Sequence, residues 1–203
     1  AQGHMLGLSF MGLEHPPATV AFGVLTALCL TAGYGFIGAT WLIIKSEGTL
    51  QMKAIRWART RLWGVVLGFG AISLASPLVS DRIFEKWFSF PSMILLAPLP
   101  LMSALLVFIL YTALQHLPAK DDKWAWVPFT ATASLFLLAF AGLAYSFYPY
   151  VVPEQLTIYE SASAPESLFI ILLGALFVLP VIIGYTILAY TVFRGKATEL
   201  RYD

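Results

Sequence analysis

The residues most suited to acid–base chemistry are three glutamates in one polar segment, "YPYVVPEQLTIYESASAPESL" (148–168). They are Glu154, Glu160 and Glu166. Their spacing of six residues matches neither a helical nor a strand period, so no single face carries all three. Carboxylates that work as general acid and base also need a pocket that separates their pKa values. We therefore interpret the segment as a solvated connection, in which Glu166 favours the positive end of the next helix and Ser161 and Ser163 are candidate caps.

The side chains that could bind a haem or a metal are few and scattered. They are one cysteine, three histidines and two methionines at predicted membrane depth: Cys29, His4, His15, His116, Met93 and Met102. A haem takes an axial ligand aimed into a pocket, and no predicted span pairs two such residues. A lone cysteine cannot form a disulfide or a zinc site. We therefore predict no catalytic, cofactor-binding or metal-binding residue, and the sequence also lacks phosphate-loop and hydrolase motifs.

The composition indicates that most of the chain is solvated by lipid. Of its 203 residues, 59% are hydrophobic and 11% are charged, and the mean hydropathy is +0.81. A soluble domain carries about 25% charged residues, because its surface must be hydrated. The net charge of +1 gives no reason to expect nucleic acid as a partner. The expected partner of the surface is instead the lipid bilayer.

Five stretches are long and apolar enough to cross a membrane as helices. A crossing needs about 20 mostly apolar residues, and the stretches are residues 20–44, 62–79, 92–114, 127–148 and 168–193. Helix is predicted because every backbone amide in lipid must be satisfied within its own segment. The fold class is therefore an all-α integral membrane protein, in which residues 1–203 form one bundle of five transmembrane helices.

Basic residues are concentrated on one side of these spans. Ten of the twelve Lys and Arg residues lie in the first loop, the third loop and the tail, whereas the N-terminal stretch and the fourth loop have none. The positive-inside rule then predicts an outside N-terminus and a cytoplasmic C-terminus. His4 and His15 fall in the outer stretch and His116 at the cytoplasmic end of the third span. Lys45 is expected at the cytoplasmic interface, where Gly48 helps to end the first helix.

Small residues and prolines predict how the helices meet. Two spans carry rows of small residues on one face: Gly64, Gly68, Ala71 and Ala75 in the second, and Thr31, Gly35 and Gly38 in the first. Such faces let helices approach closely, so both spans are expected to have partners in this chain or another subunit. Pro98 and Pro100 predict a break or a kink in the third span.

The interiors of the five spans contain no Asp, Glu, Lys, Arg or His. Ionisable residues inside a membrane mark ion pathways and proton relays. Their absence argues against a proton-coupled transporter built from these helices alone. Two alternatives stay open: a small permease module with a broken helix at Pro98 and Pro100, and a non-catalytic scaffold or assembly protein.

Three landmarks together resemble one known family. They are "GYGFIGATWLIIKSEG" (33–48), "FYPYVVP…LTIYESASAPESL" (147–168) and "LPVIIGYTILAYTVFRGK" (179–196). In order and spacing they are similar to subunit II of the cytochrome bd-type quinol oxidases, including the cyanide-insensitive branch. The resemblance extends over essentially the whole chain and fits the C-terminal half of that subunit.

The resemblance implies a function in aerobic respiration. Oxidases of this kind oxidise quinol and reduce dioxygen to water in the bacterial cytoplasmic (inner) membrane. Subunit I carries haem b, haem d and the quinol site, while subunit II packs against it, binds no haem and is non-catalytic by itself. The expected partners are thus subunit I, small accessory subunits, quinol and lipid.

The chain departs from that family at its start. The family's N-terminal Asp- and Trp-bearing motifs have no matching position here, so none of their roles can be assigned to a residue. The sequence also begins without an initiator Met or a basic leader region. We therefore expect the chain to begin inside a longer protein.

Overall fold

The fold is a bundle of helices with one small hairpin. A computed structural model describes residues 1–10, 17–79, 81–90, 92–119, 122–152, 156–193 and 195–196. The helices are α1 (Gln2–Phe10), α2 (Pro17–Lys45), α3 (Gly48–Val79), α4 (Asp81–Phe88), α5 (Ser92–Leu96), α6 (Pro98–His116), α7 (Val127–Phe147), α8 (Ile158–Ser161) and α9 (Pro165–Val192). The strands are β1 (Tyr150–Val152) and β2 (Leu156–Thr157). The predicted all-helical class is confirmed.

Within the part of the chain that the structure describes, four helices are long and apolar enough to cross a membrane: α2, α6, α7 and α9. They correspond to the predicted spans 20–44, 92–114, 127–148 and 168–193. The predicted span 62–79 forms the second half of α3 and is not among the four. The count of five spans and the orientation of the termini therefore stay predictions.

The prediction of a loop across residues 45–61 is wrong for most of that stretch. Gly48 adopts a φ of +61°, a left-handed value that Gly accommodates without strain, and α3 starts there. Gly48 thus separates α2 from α3, as predicted for the end of the first helix. The helix then continues because the buried Ala54, Ile55 and Ala58 give it one apolar face for α2.

The third predicted span is interrupted, as its prolines suggested. α5 ends at Leu96, a single turn residue follows, and α6 begins at Pro98. Proline lacks a backbone N–H and its ring crowds the carbonyl group four residues earlier, so a helix tends to restart at such a residue. The uninterrupted part that reaches His116 is 19 residues long, still enough to span a bilayer.

The N-terminal stretch packs against α2 as far as it is described. α1 packs antiparallel against α2, with Gly3 beside Ala27 and Gly7 beside Gly23. A Cβ added to Gly3 would lie 2.6 Å from the Cα of Ala27, so the two backbones are in direct contact. The hydroxyl of Thr26 also donates a 2.7 Å hydrogen bond to the carbonyl of Gly3. These contacts place α1 alongside the first predicted span.

The hydrophobic core lies towards the basic end of the bundle. Its most enclosed members include Phe36 and Ile43 of α2, Leu62 of α3 and Leu110 and Leu114 of α6. α7 closes this core with two further residues, Ala131 and Leu135. Side chains elsewhere along the helices are more exposed, as expected where lipid tails replace protein contacts.

The connection between α7 and α9 is ordered into small elements. β1 and β2 pair antiparallel, with Tyr150 opposite Thr157 and Val152 opposite Leu156. A capping box begins α8: the hydroxyl of Thr157 accepts from the backbone N–H of Glu160, and the Glu160 carboxylate accepts from the N–H of Thr157 at 2.9 Å. The described residues of this connection therefore have their own local structure.

Candidate functional site

A basic side chain of α3 closes the C-terminal end of α6. Arg59 donates from Nε to the carbonyl oxygen of Leu114 at 2.9 Å and from Nη2 to that of Leu117 at 2.8 Å. A longer contact of 3.4 Å joins Nη2 to the carbonyl of Gln115. The last carbonyl groups of a helix have no partner within it and carry its negative end, so a guanidinium group is well suited to them. Arg59 thereby caps the C-terminal end of α6.

A second polar cluster joins three parts of the chain at the same end. The amide of Gln51 on α3 donates to Asp122 Oδ1 at 3.0 Å and to the carbonyl of Ile43 at 3.2 Å. Asp122, in the connection before α7, also forms an ion pair with Lys196 beyond α9. The hydrogen bond from Lys196 is the main cause that lowers the pKa of the Asp122 carboxyl, and the bond from Gln51 adds to it. The carboxylate therefore holds the tail against α3.

α9 meets the rest of the described chain at its C-terminal end. Lys45 donates to the carbonyl oxygens of Phe193 and Gly195 at 3.2 and 3.3 Å. The ring of Tyr190 stands edge-on to Trp41, with 5.6 Å between centroids. Lys45 also lies 5.4 Å from the centroid of Trp41. α2 thus anchors one end of α9.

The remainder of α9 presents apolar side chains on every face. None of its side chains is buried, although the helix extends for 28 residues. Large residues such as Phe177, Val181 and Tyr185 are each about 70% exposed or more. A surface of this kind is stable only in lipid or against another protein.

The glutamates of segment 148–168 do not form an acid–base pair in the described chain. Glu160 caps α8 through Thr157, and these hydrogen bonds lower the pKa of its carboxyl. Glu166 lies in the first turn of α9, as predicted. Glu154 lies outside the described residues. The prediction that Ser161 and Ser163 cap α9 is wrong: its N-cap is Ala164, and Ser161 donates to the carbonyl of Ile158 instead.

The candidate ligands also stay apart in the described chain. Met93 and Met102 are exposed, and His116 contacts the carbonyl of Thr112 through Nδ1 at 2.7 Å. His4 lies against Gly23 of α2, and His15 lies outside the described residues. Among described side chains, no three His, Cys, Asp or Glu residues form a group able to hold a metal ion. The absence of a ligand set stays a prediction.

Cys29 and some residues of the small-residue faces contact other parts of the described chain, whereas other residues of these faces do not. Cys29 is half-buried against Gly68, where an added Cβ would come within 2.7 Å of its sulfur. Gly35 is covered by the guanidinium group of Arg61, with Nη1 2.6 Å from an added Cβ. Gly38 and Gly64 face open space. The expected close approach of a neighbouring helix is therefore confirmed at Gly68, whereas Gly35 is covered by a long side chain.

Three contact residues were missed by sequence reasoning. Sequence patterns predict only that Gln51, Arg59 and Asp122 lie in polar loops. A count of charged residues predicts the side of the membrane on which a loop lies, but not which groups its side chains contact. One signal was present in Asp122, an acidic residue within a predominantly basic set of loops. The α1–α2 contact also had a signal, since Gly3 and Gly7 are four residues apart, as are Gly23 and Ala27.

These features define the class of protein: a multi-pass helical membrane protein with one end tied by basic side chains. Residues 1–193 match the model of a known family, cytochrome bd terminal oxidase subunit II. The chain therefore belongs to the cytochrome bd terminal oxidase subunit II family, whose members are components of a terminal oxidase complex with subunit I. No curated protein matches the sequence.

Proposed function

We propose that the chain is the supporting subunit of a quinol oxidase that reduces dioxygen to water in a bacterial cytoplasmic membrane. Its membership of the subunit II family is the observation that carries this proposal. Haem b, haem d and the site of quinol oxidation belong to subunit I. The present chain binds no haem and is non-catalytic by itself.

The exposed surface of α9 supports a role in assembly. A 28-residue helix with no buried side chain has its whole circumference available to lipid and to other subunits. Subunit I is the main partner that we expect, with small accessory subunits as further ones. The chain then stabilises the haem-bearing subunit and shields it from lipid.

We also propose five spans, with the second half of α3 as the additional one. Residues 62–79 begin three positions after Arg59, which lies beside the end of α6, and directly after Arg61. From Leu62 to Val79, α3 offers 18 residues without a charged side chain, about 27 Å of helix. The N-terminus is then outside and the C-terminus cytoplasmic, as the distribution of Lys and Arg indicates.

The function is tested on the protein purified from membranes with its natural partners. A reduced-minus-oxidised spectrum should contain bands of b-type and d-type haem, and the preparation should consume oxygen when quinol is added. A preparation without haem would refute the oxidase proposal. If the isolated chain retained haem after its partners were removed, only the assignment of haem to subunit I would fail.

The topology is tested by labelling single cysteines in intact cells. In a Cys29→Ala background, Ser161→Cys and Lys123→Cys place thiols at two exposed positions in different connections. An impermeant maleimide should label position 161 from outside and position 123 only after permeabilisation. The opposite pattern would reverse the orientation, and equal labelling of both would contradict a crossing of the membrane by α7, which lies between the two positions.

The permease alternative has one observation in its favour, the interruption between α5 and α6. Residues around it that the structure describes, such as Leu96, Leu99 and Pro100, are apolar and offer no polar group to a substrate. A broken helix that binds substrate normally exposes backbone or polar side chains to a cavity. The interruption is therefore better explained as a proline effect. The scaffold alternative differs from the oxidase proposal only in lacking haem-bearing partners, which the spectrum detects.

A further inference from the structure

An apolar groove lies between α3 and α6, close to the basic end of the bundle. Its volume is about 240 Å³. Its described walls come from α3 and α6 alone and include Leu62, Val66, Val107 and Phe108. A pocket that encloses a drug-sized ligand has about 300–1,000 Å³. This groove is smaller and open along one side, so it suits a single flexible chain more than a ring system.

Two aromatic residues stand where the groove approaches the end of α6. Trp63 and Tyr111 form an edge-to-face pair with 6.3 Å between ring centroids and 66° between ring planes. Both remain exposed, at 59% and 44%. Trp and Tyr prefer the headgroup level of a bilayer, because one part of each ring system is apolar and another part can form hydrogen bonds. The groove therefore extends from the headgroup level towards the hydrocarbon.

Cationic groups lie directly beyond this aromatic pair. Arg59 is four residues before Trp63 and Arg56 is seven residues before it, so both share the helical face of Trp63. Arg56 lies about 10 Å from Trp63 along the axis. Its exposed side chain has no hydrogen bond or ion pair within the described chain. Arg59 uses Nε and Nη2 on α6, which leaves Nη1 without a bond there.

We propose that this groove binds an anionic phospholipid, with one acyl chain between α3 and α6 and the phosphate at Arg56 and Nη1 of Arg59. Charge complementarity identifies the occupant: two guanidinium groups beside an apolar groove fit a phosphate that is joined to a hydrocarbon chain. Arg59 is held in place by α6, so binding costs little of its side-chain freedom.

The site is distinct from the surface of α9 that is offered to the partner subunit. It lies on α3 and α6, whereas α9 is anchored to α2. The bound lipid would hold these two helices together at the level where Arg59 already joins them. The proposal does not depend on quinol or haem chemistry, so it can fail while the oxidase proposal stands.

The test measures lipid retained by the membrane-extracted protein with its natural partners. After delipidation, the complex is titrated with dioleoyl-phosphatidylglycerol or dioleoyl-phosphatidylcholine, and bound lipid is counted by native mass spectrometry. We expect one phosphatidylglycerol per copy of this chain, bound at least several-fold more tightly than phosphatidylcholine. Arg56→Gln should weaken phosphatidylglycerol about five-fold, the effect of about 1 kcal/mol for one basic residue. Val107→Trp should remove the bound lipid by filling the groove.

The matched control is Lys123→Gln, which removes one exposed charge from the connection before α7, outside the walls of the groove. It should leave the retained lipid unchanged. Equal retention of both lipids, or equal loss in Lys123→Gln and Arg56→Gln, would overturn the proposal. Displacement by inorganic phosphate at equal concentration would instead indicate a free-phosphate site. Co-purified quinone in the groove, or a partner helix cross-linked to Val107→Cys, would also refute a lipid occupant.

Discussion

Arg59 of α3 and Leu114 of α6 are joined by a 2.9 Å hydrogen bond from the guanidinium Nε to the backbone carbonyl oxygen. The contact links a basic residue in what was predicted to be a loop with the end of a membrane-spanning helix. The first turns of α3 thus do more than carry basic charge, because they also cap a neighbouring helix.

Replacing Arg59 should loosen the end of α6. Hydrogen bonds to a charged group contribute about 1.5–3 kcal/mol, and Arg59→Gln loses most of that. In a chain of this size, we expect the heat-aggregation midpoint to fall by about 4–8 °C. Arg59→Lys keeps the positive charge but loses the planar guanidinium group. Its heat-aggregation midpoint should therefore lie between those of wild type and Arg59→Gln. The midpoint is read by immunoblot of the soluble chain. Equal midpoints for wild type and Arg59→Gln would show that the cap contributes nothing.

The ion pair between Asp122 and Lys196 should make the anchoring of the tail depend on pH. The folded pKa of Asp122 is lowered, chiefly by the hydrogen bond from Lys196. The stabilisation is therefore present above the unfolded pKa of about 3.9 and is lost as the pH falls through the folded pKa. The Asp122 and Lys196 side chains are 32% and 20% exposed, so solvent limits the effect to at most about 1 kcal/mol.

Asp122→Asn is the variant that tests this pH dependence. Asn keeps the shape and tolerates the φ of 50° at this position. Its heat-aggregation midpoint should be lower than that of wild type at pH 7, and the difference should shrink as the pH falls below the unfolded pKa of about 3.9. In a Lys196→Met background the same substitution should have a smaller effect. A difference that stays constant throughout an acid titration to the point of unfolding would exclude the carboxylate as its cause.

A larger side chain should lower the stability of the chain at Gly68 but not at Gly64. A Cβ at Gly68 would meet the sulfur of Cys29 at 2.7 Å, whereas nothing lies within 4 Å of one at Gly64. Gly68→Leu should push α3 from α2 and destabilise the chain by about 1–3 kcal/mol or more. Gly64→Leu should leave its heat-aggregation midpoint unchanged. A loss of partner subunits in Gly64→Leu alone would identify that face as an interface, and equal midpoints in both variants would contradict the α2–α3 packing.

Gly7 should be required for the docking of α1. An added Cβ would lie 2.6 Å from the Cα of Gly23, and a backbone atom of a neighbouring helix cannot move as a side chain can. Gly7→Ala should therefore increase hydrogen–deuterium exchange across Gln2–Phe10. Gly38→Ala, which meets open space, should leave that exchange as in wild type. Protection of α1 in Gly7→Ala would contradict the close α1–α2 contact.

The spans that could be predicted are those whose signal is contained in one segment. The apolar run of α9 is recognisable as a span from its own composition, and Pro98 predicts the interruption before α6. α1 is only nine residues long, too short to be recognised as a span. Its glycines acquire meaning only beside Gly23 and Ala27, which are distant in sequence.

The polar contacts were less predictable for a physical reason. The positive-inside rule describes an average bias of Lys and Arg, so it cannot tell a solvated Lys53 from an Arg59 that caps a helix. Asp122 joins Gln51 and Lys196 across separations of 71 and 74 residues, which no local periodicity encodes. Such contacts depend on how the helices are arranged, and that arrangement is not contained in any one of them.

The position of the core affects the order in which the protein can form. The described members of the connected hydrophobic core lie between Phe36 and Leu135, and α9 adds no buried side chain to it. During synthesis the core can therefore close while the last helix is still inside the ribosome or the translocon. α9 then enters the membrane after the core has closed. Lys45 and Trp41 belong to the part that forms first, and they contact the C-terminal end of α9 once it is inserted.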